Sequence, residues 1–479
     1  MFISRSVYSQ DSYTNVWPQF RGFNGSGVAQ PDQNPPVDLE SAKKMIWKSA
    51  VIPGASSPCI WGDQIFLTGF DKEEQQLQVM CYNRLNGKQI WSRIAPAKEI
   101  EPYHRSASPA DATPTTDGER IYAHFGSSGL ICYDFDGNEI WRLEIPANTD
   151  KFGSGTSPIL VDNLVILLVR RLASKERYLV AVDKNSGQQI WKQNLLEAGY
   201  STPVIWGKDV VVHCEGFIAG YSIEDGSRSW RMLVRTHGES TPVVHENMLY
   251  LNAWHYLGHL NYPKEVVGTD EFSVKYDANQ DKLISREEFP LEYFPGNYKG
   301  NDDIANASNS HHKEVWSWFD TDKDDAMDQP ELQRYLNFCI ACDMGILGIK
   351  PGGRGDISIS HVLWRETENV AEVPSPLYYK DRIYIIKNGG FFSCVNAQTG
   401  ELMYKTRLKG TGPYFASPVA ANDRIYTAAH NGKVVVLEAG DELNVLSENS
   451  LNEKILATPA FVDNKIYLRT DNYLYAFGD

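Results

Sequence analysis

The sequence predicts an all-β fold: an eight-bladed β-propeller of four-stranded blades, with a small α-helical insertion. Three observations predict it. Eight Ser-Pro or Thr-Pro pairs recur at blade spacing, a run of short strands follows each of the eight, and a strand near the start matches the one missing at the end. At 479 residues the chain exceeds what one ordinary core holds, and a repeat of blade length absorbs that length.

The pairs begin at Ser57, Thr113, Ser157, Thr202, Thr241, Ser375, Ser417 and Thr458, mostly about 40 to 45 residues apart, which is the period of a propeller blade. Shortly after each Pro comes a turn dipeptide such as Gly62-Asp63, Gly118-Glu119, Lys380-Asp381 or Asp463-Asn464, joining two short strands. The second strand is β-branched and aromatic in nearly every copy, as in QIFLTGF, LVILLV, DVVVHC and RIYIIK. A third strand follows (VMCYNR, LVAVDK, FSCVNA), and Asn-Gly, Asp-Gly, Ser-Gly or Thr-Gly turns lead into a fourth (QIWSRI, EIWRLEI, QIWKQN, RSWRML). Trp91, Trp141, Trp191, Trp230 and Trp364 therefore share one repeated position, where they are expected to stack blade on blade.

The chain stops after a third-type strand, YLYAFGD, while Met45-Ile46-Trp47-Lys48 is a fourth-type strand with no blade of its own. The N-terminal strand is expected to complete the last blade, closing the ring and removing the edges of an open sheet. The predicted division is an N-terminal extension over 1–44, propeller over 45–254, an insertion over 255–344 and the rest of the propeller over 345–479. The insertion then falls between the second and third strands of blade five, on the face that carries the links between blades.

Two segments of the insertion fit the EF-hand template, in which oxygen ligands wrap a hard cation and a final Glu binds through both oxygens. The first offers Asp277, Asn279, Asp281, Leu283 (backbone), Ser285 and Glu288; the second offers Asp320, Asp322, Asp324, Ala326 (backbone), Asp328 and Glu331. Ile284 and Met327 fill the apolar position at which paired loops meet. Lys282 and Asp325 replace the Gly of the template's sixth position, so both are expected to need a left-handed backbone. The net charge is -15, and residues 265–345 hold 18 acidic against 7 basic residues. That acidity suits a cation, calcium above all, and the absence of a basic stripe argues against nucleic acid. No apolar run is long enough for a transmembrane helix.

The links before each Ser/Thr-Pro are rich in polar and aromatic side chains. His104, Arg105, His237 and Glu239 offer charge and proton transfer, and Tyr200, Trp254, His255, Tyr414, Phe415 and His430 offer ligand contacts near the axis. No Gly-x-Ser-x-Gly elbow, phosphate loop or His-Glu-x-x-His helix occurs. The seven cysteines do not make a disulfide framework; Cys81, Cys132 and Cys394 read as small buried hydrophobes, and Cys339-Ile-Ala-Cys342 as helix packing or a local redox pair. Asn306-Ala-Ser308 matches a glycosylation sequon.

The repeats AVDKNSGQQIW and TPAFVDNKIYLRTDNYLYAFGD resemble the PQQ-like propeller repeats of BamB-like proteins and quinoprotein dehydrogenases. The segment Trp17-Pro18-Gln19-Phe20-Arg21-Gly22 looks like the opening of exported bacterial members, which implies an extracytoplasmic, periplasmic protein. The resemblance leaves two functions open. One is a calcium-binding scaffold that takes a protein or saccharide ligand on its loop face. The other is an enzyme with an axial pocket, either quinoprotein-like or a calcium-dependent carbohydrate-active enzyme. The adjacent-cysteine pair of quinoprotein alcohol dehydrogenases is absent, so PQQ does not follow from the repeat.

Overall fold

A computed structural model describes residues 15–478 apart from 42, 105, 148–151, 172–175, 257–268, 290–315 and 318, with side chains left out at 337–341. Eight antiparallel sheets are arranged as blades around one axis. Blade one consists of Cys59–Trp61, Gln64–Asp71, Gln76–Asn83 and Gln89–Ala95, running from the axis outward, and the later blades repeat this order. Each inner hairpin turns through residues at positive φ, among them Gly62, Asp162, Glu246, Lys380, Asn422 and Asp463, where the turn dipeptides were expected.

Blade eight is completed as anticipated. Met45–Ala50 pairs antiparallel with Tyr473–Phe477, with Trp47 opposite Ala476. Arg84 reinforces the seam from blade one, donating to Asp463 and Tyr467 of blade eight at 3.2 Å each.

The Ser/Thr-Pro pairs mark more than period. The backbone N–H of each Ser or Thr donates to the hydroxyl of its counterpart in the next blade: Ser57 to Thr113, then on through Ser157, Thr202, Thr241, Ser375, Ser417 and Thr458, whose N–H returns to the Ser57 hydroxyl at 3.0 Å. All eight residues are buried, so the hydrogen bonds form a closed belt around the axis, shielded from water.

The tryptophans hold the rim. The indole N–H of Trp47, Trp91, Trp141, Trp191 and Trp364 each donates to a carbonyl of the following blade: Arg84, Phe135, Lys184, Ile223 and Ala397. The turn glycine of that blade lies on the indole face. A Cβ on Gly187, at φ +70°, would sit 2.6 Å from the Trp141 ring, so only Gly fits. Trp230 departs from the expected pattern by bonding Asp209 of its own blade, whose outer edge is paired in parallel by Gly355–Asp356. In all eight blades the outer strand carries a β-bulge, and the extra residue is the one before the Trp position: Ile46, Ile90, Ile140, Ile190, Ser229, Leu363, Met403 and Leu446.

The N-terminal segment is part of the propeller body. Val16–Trp17 pairs with the inner strand of blade one, Val28 bridges Ala420 of blade seven, and Arg21 reaches Pro376 of blade six. Trp17 and Arg21 are 1% and 0% exposed, so residues 15–29 plug the axis. Among the described residues, no helix is long and apolar enough to cross a membrane.

The insertion leaves between Met248–Ala253 and Gly345–Ile349, which pair directly with Leu251 opposite Leu347. Its helices Thr269–Tyr276 and Gln329–Ala341 flank a two-residue bridge, Ile284–Ser285 with Ala326–Met327. Phe272, Ile284, Phe289, Trp316 and Met327 share one apolar cluster with Trp191, Val210, Cys214 and Leu233 of blades three and four. This shared core seats the insertion against the ring.

Candidate functional site

Two regions collect chemistry-bearing side chains, the paired loops and the link face. In the loops, Ile284 stands opposite Met327 in the predicted register. Lys282 and Asp325 take φ of 71° and 66°, the left-handed conformation that their positions demand and that Gly would adopt without strain. One ligand oxygen from each of Asp320, Asp322 and Asp324 lies within 4.8 Å of the others. Each closing glutamate spans its loop. Glu288 accepts from the N–H of Ala278 at 3.0 Å and of Ser285 at 3.0 Å; Glu331 accepts from Thr321 at 2.7 Å and Asp328 at 3.2 Å. Every donor of the set is a hard oxygen, which fits calcium better than a thiophilic metal.

On the link face, rings run across blades. His104 lies 5.5 Å from Phe152, Phe152 meets Tyr200 edge-on at 6.3 Å, and Arg170 covers the Tyr200 ring at 4.5 Å while bonding its hydroxyl. Arg170 also approaches Glu215 at 3.8 Å. Beyond it, His237 stacks on Trp254 and His255 with centroids at 6.3 and 5.2 Å, and Tyr256 tilts against it at 5.0 Å. His104, Tyr200, His237, Trp254 and His255 thus gather on one side of the axis. Phe415 and His430 form a separate edge-to-face pair at 5.4 Å.

Two expected ligand contacts are core residues instead. Tyr414 is wholly buried in the apolar cluster between blades six and seven, because its ring fills the space beside Leu408, Ala429 and Val435. His255, at 2% exposure, lies beneath the stack that His237 and Tyr256 present. Arg105 and Asn306 fall outside the described residues, as does the side chain of Cys339; Cys342 is buried.

Apart from Glu239, the acidic side of this face was not anticipated. Burial pushes Glu239 up to about 8, with the Glu372 charge adding to it, and burial likewise lifts Glu197 to about 7 against the pull of Arg177 at 3.0 Å. Burial holds His237 below the ordinary imidazole range. At neutral pH the site therefore offers a protonated carboxyl beside an unprotonated imidazole. Glu197, Glu215 and Glu372 sit in links or tight turns without a recurring motif. Only their position, a residue or more before Ser/Thr-Pro or at the end of a second strand, would have singled them out.

A family model described as outer membrane protein assembly factor BamB matches residues 37–168, 132–253 and 360–476. The chain belongs to the PQQ-like, BamB-type propeller family. The family match stops where the insertion begins and resumes at 360, so the paired loops lie outside the matched residues. No curated protein matches the sequence. BamB from Moraxella catarrhalis is similar in structure, with a TM-score of 0.55 at 13% identity over 91% of this chain and 97% of that one. Quinohemoprotein alcohol dehydrogenase from Comamonas testosteroni gives 0.59 at 9% identity over 99% and 82%. The computationally designed Ika8 protein gives 0.55 at 9% identity over 91% and 100%. A designed ring scoring with natural BamB-type propellers shows that likeness of this degree reports the fold alone.

Proposed function

We propose that this BamB-type propeller is an extracytoplasmic, calcium-binding module that takes a protein or saccharide ligand on its link face. The observation that carries the reading is the run of rings from His104 through Phe152 and Tyr200 to His237, Trp254 and Tyr256, beside an insertion that shares its core with blades three and four. Flat aromatic faces with a few charged groups suit a sugar ring or a peptide side chain. Calcium, held by the two acidic loops, would fix the insertion as one wall of the site. The family's description as an outer membrane assembly factor supports the location.

The loops give the first test. Chelation lowers the melting temperature, and Glu288→Gln with Glu331→Gln removes that sensitivity; at a hundredfold excess over Kd, calcium stabilises by about 2.7 kcal/mol. A melt that ignores chelator ends the calcium reading.

One observation favours an enzyme as the second reading: Glu239 keeps its proton near neutrality next to Glu372, as a general acid would. The quinoprotein version has a direct test, incubation with PQQ and calcium followed by desalting and an absorbance spectrum. Stoichiometric retention supports it, and complete loss leaves the binding module. Against it, no two cysteines are adjacent in the sequence.

A further inference from the structure

The plug that closes the axis contains an unbalanced charge. Arg21 is 0% exposed, and its guanidinium has two protein acceptors, both reached by Nη2: the carbonyl of Pro376 at 2.7 Å and that of Ser26 at 3.4 Å. Among the described residues Nε and Nη1 have none, and neither does the indole N–H of Trp17, itself 1% exposed. Among the described residues no carboxylate acts on Arg21, and burial alone disfavours its charge. Arginine does not shed its proton inside proteins, so the charge stays and calls for a partner.

The surroundings are rich in donors. Pro376 directly follows Ser375 of the hydroxyl belt, so Arg21 bonds to the residue next to that belt. On the other side of the plug, the Pro18 carbonyl accepts from Cys59, Thr115 and Thr116, again just past belt residues Ser57 and Thr113. Each belt hydroxyl accepts a backbone N–H, and none donates to an acceptor among the described residues. A ring of O–H groups and three N–H groups therefore share a buried axis with one fixed positive charge.

We propose that the axis holds a small-anion site, in which a halide or a carboxylate of formate size is bound by Arg21 Nε and Nη1, Trp17 Nε1 and the belt hydroxyls. The burial of Trp17 and Arg21 selects for size, because a bulky anion does not fit where both side chains are closed off from solvent. The site is independent of the ligand face and of calcium. Its role is to let the plug bury a guanidinium at the point where all blades converge.

Melting in chloride, formate and gluconate at equal ionic strength tests it. In the wild-type protein, each tenfold rise in chloride or formate above its Kd raises the folding equilibrium about tenfold, while gluconate has no such effect. Arg21→Gln removes the dependence, and Trp17→Phe weakens it while keeping the ring against Phe461. Crystals grown in bromide place an anomalous peak within hydrogen-bond reach of Arg21. Identical melts in all three salts, or bromide data with water alone beside Arg21, overturn the proposal. The crystal result decides even where Arg21→Gln does not fold.

Discussion

Residues at repeated positions do repeated work, and the exceptions explain themselves. The fifth residue of the second strand would be apolar in a plain sheet core, yet Thr68, His124, His213, Asn252 and Arg469 stand there. Each tethers the link that follows or precedes its blade, through the carbonyls of Ala110, Thr156, Ser240, Ala371 and Ser56. His213 is held at both nitrogens: Nδ1 donates to the Ser240 carbonyl at 2.7 Å, and Nε2 accepts from the Thr236 hydroxyl at 2.6 Å. Burial depresses its pKa from 6.5 to about 4. The unfolded chain thus takes up this proton before the native state does, and stability falls as pH drops from about 6.5 to 4, by about 3 kcal/mol at most. Above that window His213 adds no pH dependence. Comparing wild type with His213→Asn isolates the effect, since the stability gap between them should narrow across the window; a constant gap would refute it. At the rim, Trp191→Ala should cost about 3–5 kcal/mol in a denaturant titration, from the lost ring packing and a cavity against Gly226.

Elements were legible in the sequence wherever the repeat wrote them several times. The second strands, the turn dipeptides, the fourth-strand tryptophans and the completion of blade eight all follow from residues that recur in register. The bridge between the acidic loops was legible for a similar reason, because Ile284 and Met327 hold equivalent places in two copies of one motif. What recurred without an obvious chemical purpose was harder to read. The hydroxyls of the Ser/Thr-Pro pairs counted the blades, but their bonds run between blades and are invisible along the chain. The link-face acids Glu197, Glu215 and Glu372 occur once each, so nothing in the sequence set them apart from surface charge. Tyr414 shows the opposite failure: an aromatic in a link looks available to a ligand until the neighbouring blades close over it.

At the scale of the whole molecule, the belt makes every blade a neighbour of two others in the same way. The bond from Thr458 to Ser57 joins residues 401 apart in sequence, while that from Thr113 to Ser157 joins residues 44 apart. Removing either acceptor leaves one buried N–H unpaired. Ser57→Ala and Ser157→Ala should therefore each cost about 1–3 kcal/mol, equal within error in urea unfolding. A much larger loss for Ser57→Ala would mean that closure, and not the individual link, limits stability. The bulges on the outer strands have a different reach. A ring cures the edges of its sheets only toward the axis, and the outermost strand of each blade still faces water with backbone groups to spare. A strand from another molecule that tried to grow onto that rim would meet a ladder that skips a rung at Ile90, Ile140 or Ile190 and turns away. The molecule thus stays a poor seed for fibrils in crowded solution, with a row of exposed isoleucines at its perimeter that flat sheets could not tolerate.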